Sequence, residues 1–182
     1  MDFKKVFEEV LIKFENEGIK WGLIGGFALG IMGILRTTMD LDFLLLIDDL
    51  PKADEILTKA LYKCDYKTEN LSQYSSDIKI LGSIDIIHAS KSISRGMLER
   101  VRYYEIFDTI KIPVVSAEDI IGLKVQAFNN DPDRKETDLR DINLILEHKK
   151  EITEQVDWQL LTSYFEIFNK IELFNELKSR YG

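Results

Sequence analysis

The chain has 182 residues, 45% of them hydrophobic and 31% charged, a balance that excludes a disordered segment and suffices for one domain with its own core. A net charge of −8 excludes a broad basic face for gripping a nucleic-acid backbone and leaves room only for a local basic groove. A single cysteine, Cys64, excludes an internal disulfide framework and fits a reducing compartment.

Taken in order, the chain opens with DFKKVFEEVLIKFENEG, where Phe3, Val6, Phe7, Val10, Leu11 and Phe14 recur at helical spacing and Gly18 supplies a stop. That start is charged and amphipathic and has no apolar leader, and apolar runs such as residues 44–47 are too short to cross a bilayer. The expectation is a cytoplasmic protein with no membrane partner. KWGLIG (20–25) reads as a short strand, GFALGIMGI (26–34) as a helix opened by a glycine pair, and LDFLLLI (41–47) as a buried strand. DLPKADEILTKALYKC (49–64) predicts a helix with Pro51 in its first turn and Ala53, Ile56, Leu57, Ala60 and Leu61 on one face. SDIKIL (76–81) and SIDIIHA (83–89) predict a strand pair about Gly82, and EIFDTIKIPVVS (105–116) adds one or two more strands. ASKSISRGMLERVR (89–102) is locally basic. An exposed linker and helix is preferred there over a flap touching a polyanionic acceptor.

From Ser116 the pattern turns helical. SAEDIIGLKVQAFN has a Ser cap and acids in its first turn, DPD (131–133) breaks it, and helices follow over 135–149, 153–168 and 169–180. The order α-β-α-β-α-β-β-β followed by helices defines an α/β (α+β) arrangement. It implies a mixed β-sheet with helices packed on it over residues 1–115, and a C-terminal helical part over 116–182. Strand order is not fixed by this pattern.

The chemistry concentrates at a few polar residues inside apolar runs. Asp40 and Asp42 are two apart at the mouth of a strand, so both carboxylates aim at one side. Like charges that close need a proton or a cation between them, and a hard cation such as Mg²⁺ is commonly held by one or two carboxylates plus substrate phosphates. Asp85 sits in a second apolar strand, where a lone charge is equally out of place. Three converging carboxylates would suit a two-metal site for in-line displacement. The competing reading leaves Asp40 and Asp42 solvated at a strand start. Gly25 and Gly26 stand at a strand-to-helix junction that could receive an anion, or could simply be a tight turn. Arg36, with Thr37 and Thr38 beside it, offers a fork for phosphate oxygens or a structural partner for an aspartate. Lys124 reads equally as a snorkelling lysine and as a catalytic one. His88 is read as a packed or solvent-facing histidine outside the site, and Cys64 as a small core residue.

The stretch G-G-x-A-(x7)-R-x-T-x-D-x-D (Gly25 to Asp42) resembles the nucleotidyltransferase superfamily of the DNA polymerase β type. The segment VVSAEDIIGLKVQAFNNDPDRKETDLRDINLIL (114–146) is similar to the distal motif of the AbiEii-type branch, with Lys124, Arg134, Asp138 and Asp141 as counterparts. The resemblance implies transfer of a nucleoside monophosphate from an NTP to an acceptor. It makes Asp40, Asp42 and Asp85 ligands of Mg²⁺ or Mn²⁺, with Lys124 joining them in catalysis, and places Gly25, Gly26, Arg36 and Thr38 at the nucleotide. Residues 116–182 are then expected to complete the active-site cleft. It further implies a toxin of a toxin–antitoxin or phage-defence pair, with an antitoxin partner and an RNA, protein or aminoglycoside-type acceptor. The alternative is a catalytically silent nucleotide-binding or partner-binding module of the same fold. Arg134, Asp138 and Asp141 either touch substrate or tie the helical part to the sheet.

Overall fold

Residues 21–24 are buried without exception and form β1 (Trp21–Ile24), antiparallel to β2 (Leu41–Leu46). The computed structural model to which these strands belong describes residues 1–107 and 110–182. The chain divides into two compact units, Met1–Val115 and Ser116–Gly182.

The first unit is built on a seven-stranded sheet ordered β3-β4-β5-β2-β1-β7-β6. The remaining strands are β3 (Lys63–Lys67), β4 (Leu71–Ser75), β5 (Ser83–Ala89), β6 (Arg102–Ile106) and β7 (Ile110–Val114). β2 runs parallel to β5 and β1 parallel to β7, while the other pairs are antiparallel, so the expected mixed sheet is present. The edge strand β3 is exposed throughout, carries the free Cys64, and breaks register with a bulge between Cys64 and Tyr66.

The N-terminal helical stretch runs from α1 (Phe3–Val6) through a π-helical segment, Phe7–Leu11, into α2 (Ile12–Asn16). Asp2 caps it by accepting from the Lys5 N–H, and Gly18, at φ +65°, ends it in a Schellman turn in which the Ile19 N–H donates to the Phe14 carbonyl. Phe14, Trp21 and Phe43 meet edge to face in the core below. α3 (Gly25–Ile31) closes the same way at Gly33.

α4 (Leu50–Lys59) buries Leu50, Ala53, Ile56 and Leu57, but it stops five residues early and leaves Leu61, expected on the same face, exposed. Leu61 adopts φ +68° and makes the Schellman turn that Gly18 makes elsewhere, so a leucine hides the stop signal. The expected strand over 76–81 is instead a turn, and the strand that pairs with β5 on that side is β4. The stretch 105–116 contributes β7 and the end of β6, although Asp108 and Thr109 lie outside the described residues. α5 (Ser92–Glu99) buries Met97 and Leu98, while its Arg95 pairs with Asp48 at 2.6 Å, beyond the C-terminal end of β2. The basic segment is thus a packed helix with an exposed ion pair.

The second unit holds α6 (Ala117–Asn130), α7 (Lys135–Glu151), α8 (Trp158–Ile167) and α9 (Ile171–Tyr181). Ser116 caps α6, and Pro132–Arg134 form a short 3-10 turn where DPD was expected to interrupt. The first-turn acids of α6 are buried. Asp119 accepts from the Ser116 hydroxyl at 2.7 Å and from the Tyr164 phenol, and Glu118 receives Lys149 at 2.6 Å. No described helix is long and apolar enough to cross a membrane.

Two predictions follow from packing in the first unit. At Gly22 a Cβ would stand 2.7 Å from Val115 Cγ2 and 3.1 Å from Val101 Cγ1, so Gly22→Ala should cost about 1–3 kcal/mol in urea unfolding with the m-value unchanged. His88 is buried. Its Nδ1 donates to the Glu69 carbonyl at 2.9 Å and its Nε2 accepts from Ser72 Oγ at 2.8 Å. Burial, with a smaller push from Lys67, holds its pKa below the ordinary value. Above about pH 6.5 the ring is neutral in both folded and unfolded chains. As pH falls below that, the unfolded chain gains a proton the folded ring resists, so stability drops. Thermal unfolding between pH 7.5 and 5 should show this decline in the wild type and a flatter profile in His88→Gln.

Candidate active site

The parallel pairing of β2 with β5 sets Asp42 directly beside Asp85 as Cα partners. Leu41, Phe43 and Leu45 of β2 and Ile84 and Ile86 of β5 are fully buried, so the period-2 alternation sends Asp42 and Asp85 together to the opposite face. Both are half-buried. Asp40 lies one residue before β2 and is exposed, its carboxylate accepting from the Ser83 hydroxyl, two residues before Asp85. The sequence reading of buried acids is therefore corrected in degree: Asp42 and Asp85 are half-buried and Asp40 is exposed. Two carboxylates share a row, and the third stands at its margin.

The glycine pair owes its place to this surface. Gly25 follows β1 at φ +70°, a conformation side chains rarely adopt, and a Cβ there would fall 1.9 Å from Asp42 Oδ2. At Gly26 a Cβ would meet the Thr38 side chain at 2.8 Å and the Arg36 stem at 3.4 Å. Gly25 thus makes room for the Asp42 carboxylate, and Gly26 lets the 32–40 loop fold onto the first turn of α3. Thr38 Oγ1 in turn donates to the Asp40 carbonyl at 3.1 Å. The structure brings Gly25, Gly26, Arg36, Thr38, Asp40, Asp42 and Asp85 into one neighbourhood of the first unit.

Sequence reasoning missed two members of that neighbourhood, Ser83 and Gln73. Gln73 is the Cα partner of Asp85 from β4, and its side-chain amide donates to both carboxylate oxygens, at 3.2 and 3.1 Å. The signal that could have found it is the alternation in LSQYS (71–75), where Ser72 and Tyr74 are buried and Gln73 faces the other way.

Lys124 lies in the second unit. Its Nζ stands 2.6 Å from Asp141 Oδ2 and 3.2 Å from Asp138 Oδ1, with those side chains 1% and 2% exposed. Arg134 Nε approaches Asp138 Oδ2 at 3.4 Å. Within this unit the four residues form one ion cluster joining α6 to α7.

Among the described residues no group of three or more His, Cys, Asp or Glu side chains forms a ready metal cage. The pair Asp42 and Asp85 nonetheless fits a hard divalent ion: both offer carboxylate oxygens on one face, and the missing Gly25 side chain leaves the Asp42 carboxylate its space. Two protein carboxylates completed by substrate phosphates is the usual manner of holding Mg²⁺.

The sheet is that of a nucleotidyltransferase fold. The antibiotic-resistance factor ANT(2'')-Ia superposes with a TM-score of 0.64 at 12% identity, covering 97% of this chain and 99% of its own. A nucleotidyltransferase-like protein from Paracoccidioides brasiliensis gives 0.57 at 16% identity, over 97% of this chain and 92% of that one. The lincosamide antibiotic adenylyltransferase LnuA gives 0.55 at 19% identity, over 78% and 94%. No curated protein matches the chain in sequence. Residues 73–180 match the family model described as "Nucleotidyl transferase AbiEii toxin, Type IV TA system", and the chain belongs to that family and is a nucleotidyltransferase. The matched span contains Asp85, Lys124, Arg134, Asp138 and Asp141, whereas Gly25, Gly26, Asp40 and Asp42 precede it.

Two variants test this geometry. Gly25→Ala should lose at least about 1–3 kcal/mol from backbone strain alone, besides displacing the Asp42 carboxylate, as read by denaturant unfolding. Lys124→Met strips the cation from two buried carboxylates and should cost about 3–5 kcal/mol, seen as a large fall in thermal midpoint.

Proposed function

We propose that the chain moves a nucleoside monophosphate from an NTP to an acceptor hydroxyl with the help of a divalent ion, Mg²⁺ or Mn²⁺. The observation that carries this reading is the Asp42–Asp85 register pair on an open face beside the Gly25 turn. Asp42 and Asp85 would hold the ion, and Asp40 would join them by turning its carboxylate away from Ser83. The bound ion would neutralise triphosphate oxygens and ease deprotonation of the acceptor.

The residues of this chain supply positioning and charge. Arg36 presents its guanidinium to phosphate oxygens, with the Thr38 hydroxyl and the backbone N–H groups of Gly25 and Gly26 beside it. Asp85 receives the proton of the acceptor hydroxyl. The acceptor oxygen then bonds to the α-phosphorus while the bond to pyrophosphate breaks, and pyrophosphate leaves with the electron pair. A phosphate contact from Lys124 requires that side chain to give up Asp138 or Asp141, so its observed partners favour a structural role. Family membership supports reading the protein as the toxin of a toxin–antitoxin pair with an antitoxin partner, acting in the cytoplasm. The acidic net charge favours a cationic small-molecule acceptor over RNA, by steering alone.

Calorimetric titration with ATP, GTP, CTP and UTP, with and without Mg²⁺, tests the reading against a silent binding module. Binding that requires Mg²⁺ and weakens more than about a hundredfold in Asp42→Asn supports the enzyme, since loss of a ligand should exceed the effect of losing its support. Metal-independent binding, or none, overturns it. Labelled NTPs offered with total RNA, cell extract and aminoglycosides then show which fraction takes up label.

A further inference from the structure

We propose that Gln73 is the positioning residue that fixes the Asp85 carboxylate for metal binding. Gln73, Asp85 and Asp42 stand opposite one another on β4, β5 and β2, forming one row across three strands. The carboxylate of Asp85 is therefore flanked on one side by an amide and on the other by a like charge. Rotation about the last bond of an aspartate is soft. The Gln73 amide removes that freedom by donating to both oxygens, at 3.2 and 3.1 Å. The direction of these bonds is set by chemistry, because an ionised carboxylate only accepts, so the NH₂ and not the amide oxygen must face it.

A neutral donor is the suitable partner here. An arginine or lysine in the place of Gln73 would form an ion pair that a divalent ion must first break. An apolar residue would leave the plane of the carboxylate undetermined. An amide orients the oxygens, stabilises their ionised form, and leaves most of the negative charge for a cation. The same choice recurs at the margin, where the neutral Ser83 hydroxyl donates to Asp40. Gln73 lies on a half-exposed strand surface, so its substitution leaves the buried neighbours Ser72 and Tyr74 untouched.

This inference rests on the reading of Asp42 and Asp85 as metal ligands, and one experiment separates the two. The full chain is titrated with Mn²⁺ alone, free ion being followed by electron paramagnetic resonance, alongside Asp85→Asn, Gln73→Met and Gln73→Thr. Gln73→Met keeps the length of the side chain without the donor, and Gln73→Thr favours the strand, so at least one folded variant is secured. The expected result is Mn²⁺ binding by the wild type, its loss in Asp85→Asn, and a weakening of about 10–100-fold in both Gln73 variants at an unchanged thermal midpoint. Unchanged affinity in the Gln73 variants, with binding still lost in Asp85→Asn, overturns this inference alone. Weakening that only tracks a falling thermal midpoint also overturns it, in favour of a structural role. A wild type that binds no Mn²⁺ overturns this inference, which needs an ion held by the carboxylates before nucleotide arrives, and an Asp85→Asn variant that binds as well as the wild type overturns both readings.

Discussion

The parallel register between β2 and β5 is the constraint on which the site depends. It is imposed by apolar residues on one face: Leu41, Phe43 and Leu45 beside Ile84 and Ile86, all without exposure to solvent. Burying each such side chain is worth about 1.5–3 kcal/mol, which together far exceeds the repulsion between two half-solvated carboxylates. A slip of one residue would carry these side chains to the open face and send Asp85 into the core. The core thus forces the two acids together, and no attraction between them is needed. Placing β1 on the other side of β2 then delivers the Gly25 turn to the Asp42 carboxylate, where only glycine leaves room.

The same logic explains how much of the fold could be read from the chain. Strands and helices with strong apolar patterns, such as WGLI, LDFLLL and the Pro51 helix, stand where the pattern puts them, give or take a turn. The acidic pair was visible because charge interrupted apolar runs. The failures have physical causes. Leu61 takes a left-handed backbone angle at the end of α4, where the usual marker is glycine, so that end carried no sign. Thr153 does the same after α7, and the expected break there is longer than the pattern shows, with α8 starting at Trp158 and not at 153. KCDYK and LSQYS are polar strands near a sheet edge, and half-exposure leaves no apolar signature. Missing β4 meant missing Gln73, because a glutamine acquires meaning only when the strand opposite is known.

The helical unit shows what spacing along the chain leaves out. Glu118 and Asp119 were legible only as first-turn acids, and Lys124 equally as a snorkelling and as a catalytic lysine. In the structure Glu118 pairs with a buried Lys149, Asp119 accepts two hydroxyls, and Lys124 is gripped by Asp138 and Asp141. Each charge is tolerated because its partner is present within the same bundle of helices, and sequence spacing across two helices does not announce such partners. Buried pairs of this kind do not by themselves raise stability, but losing one member is costly. They specify which faces of α6, α7 and α8 meet.

The bulged outer strand has a practical side. Its thiol at Cys64 is the chain's only cysteine and is open to solvent. Cys64 stands opposite Tyr74, which is buried on the face away from Gln73 and Asp85, so a fluorophore or spin label attached there would sit on the other side of the sheet from the acids, and no engineered cysteine would be required. The kink that blunts this border against joining a neighbouring sheet spans the same residues over which the thiol donates to the Tyr66 carbonyl at 3.5 Å. A probe held there would leave the acidic surface clear for whatever binds to it.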